Sequence, residues 1–194
     1  MCGNGGILIK NLLKWGRIMG KTCFFIGNRQ LNGREKDIKR LLEEEVKKLI
    51  LNEDVIEFFV GNYGQFDSLV KSVLEKMKDI FPQIKAHMVL PYHPYYVKDL
   101  KEPKNFDGVI YPEELNNVPK RLAIVKLNHL MVDRVDYLIA YVSDTTRNSG
   151  KLLEYAQKRE KQGFMKILNL MVLQVHLVLM KLILQSSLYW LLHW

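Results

Sequence analysis

The chain has 194 residues, of which 48% are hydrophobic and 26% are charged. This length allows one domain with a substantial core, and this composition excludes a wholly disordered chain. Lysine and arginine outnumber aspartate and glutamate by 29 to 21, which gives a formal net charge of +8. The excess favours anionic partners such as nucleotides, nucleic acid or acidic membrane surfaces, although a basic but otherwise ordinary surface is the simpler interpretation.

The sequence contains two cysteines, Cys2 and Cys23, and neither a CxxC motif nor a cluster of cysteine and histidine. We therefore expect no disulfide framework and no zinc site, and we predict no metal and no cofactor. A reducing, cytoplasmic location fits this cysteine usage best. The first 18 residues lack the apolar core and the cleavage site of a secretory signal. We interpret residues 1–18 as a leader or a spurious N-terminal extension.

Between residues 21 and 170, short apolar runs alternate with longer segments whose apolar residues recur every three or four positions. The short runs are typical of strands buried on both faces, and the longer segments are typical of surface helices. In chain order we predict a strand at 21–27, a helix at 34–51, a strand at 55–61, a helix at 66–80, a strand at 84–91, a helix at 120–134, a strand at 136–142, a helix at 149–162 and a strand at 164–170.

A long segment, residues 91–119, interrupts this alternation. It holds all but one of the six prolines and the aromatic run YHPYY, with one brief extended piece at GVIYP. We predict a long ordered loop that carries at most one short strand. Loops of this length inside a compact domain are usually functional lids or partner surfaces.

The alternation of strands and helices indicates right-handed βαβ crossovers and a mainly parallel sheet that is covered on both faces. The predicted fold class is α/β, a Rossmann-like doubly wound sheet flanked by helices. A single domain over residues 19–170 accounts for all the predicted elements.

The last 24 residues, 171–194, contain 17 apolar residues, one lysine and no acidic residue. Three interpretations are open: a membrane helix, a helix that packs on the domain or on a second copy in a homo-oligomer, and a segment that is not the natural end of the domain. The abrupt change in composition after Leu170 favours the third interpretation. We treat residues 171–194 as an apolar C-terminal tail of doubtful origin, and we expect no membrane association.

Four predicted turns carry small or polar residues where a strand ends: GNRQ (27–30), GNYG (61–64), PYHP (91–94) and SDTTRNSG (143–150). In parallel sheets, ligands bind beyond the carboxyl ends of the strands. Glycine lets the backbone approach a ligand and adopt positive φ, and the free amides at a helix start favour an anion. These turns therefore predict a site for a phosphate-bearing ligand, while a merely tight turn is the alternative for each glycine.

Amide and guanidinium side chains lie in or near the same turns. Asn28 and Asn62 supply donors, and Arg29 supplies a planar cation suited to phosphate. Asp67 could accept from a ribose hydroxyl, or it could stabilise the start of its own helix. The predicted ligand-binding residues are Gly27, Asn28, Arg29, Gly61, Asn62, Gly64, Asp67, Arg121, Asn128, Ser149 and Gly150.

Several stretches together resemble a known family: KTCFFIGNR, FFVGNYGQFDSLV, LPYHP, VPKRLAIVKLNHLMVDRVDYLIAYV and SGKLLEYAQKRE. In order and spacing they are similar to the YspA-like branch of the SLOG superfamily, which groups the Smf/DprA DNA-uptake proteins with the LOG cytokinin-activating enzymes. The resemblance covers about residues 21–170. It implies a Rossmann-like fold that binds or senses a nucleotide or a nucleotide-derived ligand at the glycine corners.

The chain departs from the family pattern at two positions. Asn28 stands where relatives typically have histidine, so a proton-transfer role is not expected there, although hydrogen bonding survives in asparagine. Leu127 precedes Asn128 where relatives commonly have arginine, so one phosphate contact is missing. The family domain usually finishes near the strand at 164–170.

Two further functions follow from the resemblance. LOG-like enzymes use a PGGxGTxxE motif whose glutamate assists cleavage of an N-glycosidic bond in a nucleoside monophosphate. Glu154 follows Gly150 at the same interval, but the paired glycines and the threonine are absent, and ordinary ion pairs with Lys151 and Lys158 are the alternative role. Kinship with DprA suggests single-stranded nucleic-acid binding instead. The sequence leaves open whether the protein is an enzyme, with Glu154 as its candidate catalytic residue.

Overall fold

The computed structural model describes residues 9–10, 20–97, 100–101, 103–175, 179–180 and 183. Most of the predicted leader, residues 1–8 and 11–18, therefore lies outside the described residues, as does most of the predicted tail. Ile9 and Lys10 form a two-residue strand that pairs in parallel with Val109 and Ile110.

Every strand and helix predicted between residues 21 and 170 is present within a few residues of its predicted bounds. The elements are β1 Ile9–Lys10, β2 Lys21–Gly27, α1 Glu35–Glu53, β3 Val55–Val60, α2 Gln65–Ile80, β4 Lys85–Val89, β5 Val109–Ile110, α3 Lys120–Val132, β6 Tyr137–Tyr141, α4 Asn148–Lys161 and β7 Lys166–Asn169.

The strands form one parallel sheet in the order β1-β5-β4-β3-β2-β6-β7. From β2 the chain runs outwards through β3, β4 and β5, and it then returns to the other side of β2 to form β6 and β7. The direction of winding thus reverses between β2 and β6. This is a single-domain α/β arrangement of the Rossmann-like doubly wound type, as the alternation of apolar patterns predicts.

The central strand β2 is buried on both faces because its side chains alternate between two cores. Cys23 and Phe25 belong to the core that α1 and α2 cover. Phe24 and Ile26 belong to the core that α3 and α4 cover. The sheet is therefore the middle of three layers.

The long loop after β4 is ordered around two short 3₁₀ helices, Pro94–Tyr96 and Glu113–Leu115, with β5 between them. Asp107 anchors it, because its carboxylate accepts a hydrogen bond from the amide of Ala86 at 2.8 Å and forms an ion pair with Lys78. The single short strand agrees with the prediction for GVIYP.

The strand predicted at 164–170 includes one residue too many at its end, since β7 ends at Asn169 and Leu170 is helical. Residues 170–175 are helical, and the side chain of Asn169 accepts a hydrogen bond from the amide of Met171 at 3.0 Å, as a helix cap does. Leu170 is buried in the core, and Leu173 packs against it. No helix formed by the described residues combines the length and the apolar character that crossing a membrane requires.

Candidate functional site

The ends of β2 and β6 meet where the winding of the sheet reverses. The strand register pairs Gly27 with Tyr141, so the residues that follow each strand lie side by side. Asn28 donates from Nδ2 to Oγ of Ser143 at 2.7 Å, and its Oδ1 accepts from the amide of Ser143 at 3.4 Å. The Asn28 amide also donates to the carbonyl of Tyr141 at 3.0 Å. These bonds join the two corners at the edge of a crevice.

A cleft of about 860 Å³ opens at this point, bounded by the carboxyl end of β2, by the N-terminal turns of α2 and α4, and by one side of α3. This volume lies within the range of small-molecule sites, and the position is where open parallel sheets bind ligands. Its floor is apolar, with Ile26, Leu127 and Leu152 among the lining side chains. Its rim is polar and carries three arginines, Arg29, Arg121 and Arg147.

Most of the residues predicted from the sequence come together here. The cleft is lined by Gly27, Asn28, Arg29, Gly61, Gly64, Asp67, Arg121, Asn128 and Ser149. These residues come from three strand-end turns and from the side of α3 that faces them. The sequence alone suggests that these four segments are neighbours but does not show it.

Three predicted residues do not line the cleft. Asn62 turns its amide oxygen to the ammonium group of Lys71, at 2.5 Å. Gly150 is buried in the first turn of α4. Glu154 lies further along α4 and is exposed.

Three of the predicted glycines are closely surrounded by the protein's own atoms. A Cβ atom built on Gly27 would lie 2.3 Å from the ring of Phe66, and one built on Gly150 would lie 2.2 Å from the carbonyl oxygen of Thr145. On Gly64 it would lie 3.1 Å from the Cα atom of Arg29. None of these three glycines has positive φ. The protein's own atoms therefore occupy the space that a side chain would need at these positions, and the positive φ expected of glycine does not occur at them.

Asp67 holds the turn between β3 and α2. Its Oδ2 accepts from the amide of Tyr63 at 2.8 Å, and a Cβ on Gly61 would lie 2.9 Å from the same oxygen. Burial raises the pKa of Asp67, against the opposing effects of the Tyr63 amide and the Lys71 charge. Of the two roles considered for this carboxylate, the structure supports the stabilisation of the helix start.

Gln65 ties the corner after β2 to the first turn of α2. Its Oε1 accepts from the amide of Leu31 at 2.7 Å, and its own amide donates to the carbonyl of Arg29 at 2.9 Å. The backbone from the carbonyl of Arg29 to the amide of Leu31 is therefore held, while the Arg29 side chain is exposed and has no polar partner among the described residues. Arg121 is in the same situation in the first turn of α3.

The third arginine of the rim, Arg147, forms an ion pair with Asp144. Arg147 Nε donates to Asp144 Oδ2 at 2.8 Å, and Oδ1 of the same carboxylate accepts from the hydroxyl of Thr146 at 2.6 Å and from its amide at 2.9 Å. The Thr146 hydrogen bonds, helped by Arg147, keep the pKa of Asp144 below its ordinary value. This turn is thus an ordered part of the rim.

Two helix starts at the cleft are electrostatically suited to an anion. The first turn of α4 contains no acidic residue, and no side chain caps its amides; Asn148 and Ser149 of this turn line the cleft. The first turn of α3 also lacks an acid and carries Lys120 and Arg121. The free amides, the helix dipoles and the arginines all favour negative charge at this rim.

Sequence reasoning missed Ser143, Asp144 and Arg147. The sequence predicts a turn at SDTTRNSG and, within it, ligand contacts from Ser149 and Gly150 alone. The polar side chains that follow directly after β6 were the available signal, because the residues at the carboxyl end of a strand at the reversal point face the crevice.

No protein-family model matches the chain, and no curated protein matches it in sequence. The fold and the cleft define an α/β domain with an open crevice at its reversal point. Within the described residues, no group of three or more histidine, cysteine, aspartate or glutamate side chains is arranged to hold a metal ion. Membership of the SLOG superfamily stays a prediction from the sequence.

Proposed function

We propose that the protein binds or senses a nucleotide or a nucleotide-derived ligand in the cleft between β2 and β6, as a YspA-like member of the SLOG superfamily would. The observation that carries this proposal is the rim of the cleft. Arg29 and Arg121, which have no polar side-chain partner in the part of the chain that the structure describes, line the same cleft as the uncapped first turn of α4. A phosphate-bearing ligand suits this rim, because phosphate oxygens accept hydrogen bonds from guanidinium groups and from helix-terminal amides.

The remainder of the cleft suits the rest of a nucleotide. Its apolar floor can cover a base, while Asn28 and Asn128 offer amide groups to ribose hydroxyls or to base edges. Cys23 is a buried free thiol, which is in keeping with the cytosolic, reducing location that we propose for the protein.

Calorimetric titration with adenosine, guanosine, cytidine and uridine 5′-monophosphates tests this function. We expect saturable binding of at least one of them, and we expect Arg29→Ala and Arg121→Ala each to weaken it about tenfold or more, as loss of a charge-assisted contact does. Arg40→Ala is the matched control, since Arg40 lies on α1 and makes only a 3.8 Å surface pair with Glu44. Absence of binding by all four nucleotides, or equal effects of all three variants, would contradict the proposal.

The hydrolase alternative depends on Glu154. This side chain is exposed and does not line the cleft, so it is badly placed to protonate a leaving base. We therefore expect Glu154→Gln to leave nucleotide affinity unchanged, and we expect chromatography to detect no base released by the wild type. Base release that Glu154→Gln abolishes would establish the enzyme instead.

A further inference from the structure

One partly exposed acidic side chain lies in the otherwise cationic rim of the cleft. Two acidic residues, Asp67 and Asp144, are among those that line it. Asp67 is engaged within its own turn, where it accepts from the amide of Tyr63. The side chain of Asp144 is 41% exposed at the rim. A carboxylate repels a phosphate group, so the presence of Asp144 beside a phosphate site requires an explanation.

The fold of the turn does not require this negative charge. Oδ1 of Asp144 accepts from the amide of Thr146 at 2.9 Å and from its hydroxyl at 2.6 Å, and an asparagine or serine side chain forms the same kind of turn. The ion pair with Arg147 lies at the surface, since the Arg147 side chain is 77% exposed, and such pairs contribute little to stability. The charge therefore serves something other than the turn itself.

The carboxylate is held in a fixed orientation with one acceptor position open. Oδ1 takes two hydrogen bonds from Thr146, whereas among the described residues Oδ2 takes one, from Nε of Arg147 at 2.8 Å. Each carboxylate oxygen has two lone pairs, so Oδ2 can accept one further hydrogen bond from a ligand. Arg147 also offsets the negative charge that an incoming phosphate group meets. An acceptor that is oriented before binding loses less conformational entropy when the ligand arrives.

The turn lies directly beside the proposed phosphate site. A Cβ atom built on Gly150 would lie 2.2 Å from the carbonyl oxygen of Thr145, so the turn packs on the first turn of α4. Asn148 and Ser149, in that same first turn, line the cleft. In a nucleoside 5′-monophosphate the ribose is bonded directly to the phosphate group. A phosphate group at the start of α4 therefore brings the ribose hydroxyls close to Asp144.

We propose that Oδ2 of Asp144 accepts a hydrogen bond from the ribose 2′-hydroxyl, so that the cleft selects ribonucleotides over 2′-deoxyribonucleotides. This inference rests on the proposed function and names the sugar that the cleft recognises. In doubly wound folds that bind dinucleotides, a carboxylate near a strand end accepts from the same hydroxyl. The sequence suggested such a contact for Asp67, whose carboxylate instead stabilises its own helix start.

Calorimetric titration with one nucleoside 5′-monophosphate in its ribose and 2′-deoxyribose forms tests this inference, with the base that binds most tightly in the test of the proposed function. We expect the wild type to bind the ribose form about tenfold or more tightly than the deoxyribose form, because a hydrogen bond to a charged group is lost. Asp144→Asn should bind the two forms with affinities within about twofold of each other. In this variant Oδ1 keeps its bonds to Thr146, and an amino group that cannot accept takes the place of Oδ2.

Thr146→Val tests whether Thr146 positions the carboxylate. Valine keeps the shape of the threonine side chain but cannot donate to Oδ1 of Asp144. The preference for the ribose form should fall to a value between those of the wild type and Asp144→Asn. A merely structural role of Thr146 would lower the affinity for both forms equally and leave the preference unchanged.

Asp133→Asn is the matched control. Like Asp144, Asp133 is paired with an arginine and accepts from a hydroxyl: Arg159 lies at 3.3 Å and the Tyr155 hydroxyl at 2.6 Å. Asp133 follows the last residue of α3 and does not line the cleft. This variant should prefer the ribose form as strongly as the wild type does.

This inference and the proposed function fail in different ways. If a ribonucleotide binds but the wild type binds its deoxyribose form equally well, or if Asp144→Asn keeps the wild-type preference, the role of Asp144 is wrong and the proposed function survives. An equal rise in the affinity of Asp144→Asn for both forms would show that the carboxylate is only a counter-charge to Arg147. If none of the four nucleotides binds, the proposed function fails and this inference fails with it.

Discussion

Asn28 and Ser143 exchange two hydrogen bonds across the ends of β2 and β6, one at 2.7 Å and one at 3.4 Å. They join the two strand ends between which the sheet reverses its direction of winding. Because Gly27 and Tyr141 are paired in register, Asn28 is the first residue beyond β2 and Ser143 is the second beyond β6, and the two lie at neighbouring strand ends. Both residues line the cleft, so this pair of hydrogen bonds belongs to its wall.

We expect Asn28→Asp to weaken nucleotide binding while leaving the stability of the fold nearly unchanged. The Ser143 hydroxyl can donate to the new carboxylate, so the free energy of unfolding should change by less than about 1 kcal/mol. A negative charge at the rim should repel a phosphate group and weaken nucleotide binding about tenfold or more. Urea unfolding and calorimetric titration measure the two effects. Unchanged nucleotide affinity would show that the ligand's anionic group lies elsewhere.

Gly27→Ala tests the packing role of the glycine. The new methyl group would lie 2.3 Å from the ring of Phe66, which is fully buried and cannot easily move. We expect a loss of about 1–3 kcal/mol in the free energy of unfolding. In the double variant Gly27→Ala/Phe66→Leu the smaller side chain should relieve the overlap. The measured loss should then be smaller than the sum of the single losses by about 1 kcal/mol. Strict additivity would contradict the packing explanation.

Asp67 predicts a specific dependence of stability on pH. Burial raises its pKa in the folded protein above the unfolded value, so the folded state binds its proton more tightly. Between the two pKa values the free energy of unfolding should fall as the pH rises. Above the folded pKa, Asp67 is ionised in both states and this loss of stability reaches its full value. Asp67→Asn keeps an acceptor for the Tyr63 amide but does not titrate. As the pH rises through that window, the free energy of unfolding of the wild type should therefore fall relative to that of Asp67→Asn. Urea unfolding at a series of pH values measures both. A difference of the opposite sign would refute the desolvation argument.

The elements of the fold were predictable because each has a strong local signal. Ile38, Leu42 and Val46 give α1 its apolar face, and the uninterrupted run from Cys23 to Ile26 marks a strand that is buried on both sides. The exception is Leu170. An apolar residue fits both the end of a buried strand and the start of a packed helix, so periodicity alone does not assign Leu170 to either one.

The site was predictable only in outline. The rule that ligands bind at strand ends located the cleft, but the partners of its residues depend on strand order and register, which a single sequence does not specify. The contact between Asn28 and Ser143 joins residues 115 positions apart. The close approach of Gly27 to Phe66 is likewise a tertiary contact, so the sequence alone does not reveal that a neighbouring ring keeps this position small.

A crystal structure of the protein grown with a nucleoside monophosphate tests the central claim most directly. We predict density for the phosphate group at about 3 Å from the amides of Asn148 and Ser149 and from the guanidinium of Arg29, with the base over the apolar floor of the cleft. A nucleotide bound elsewhere on the surface, with this cleft holding water alone, would contradict the account.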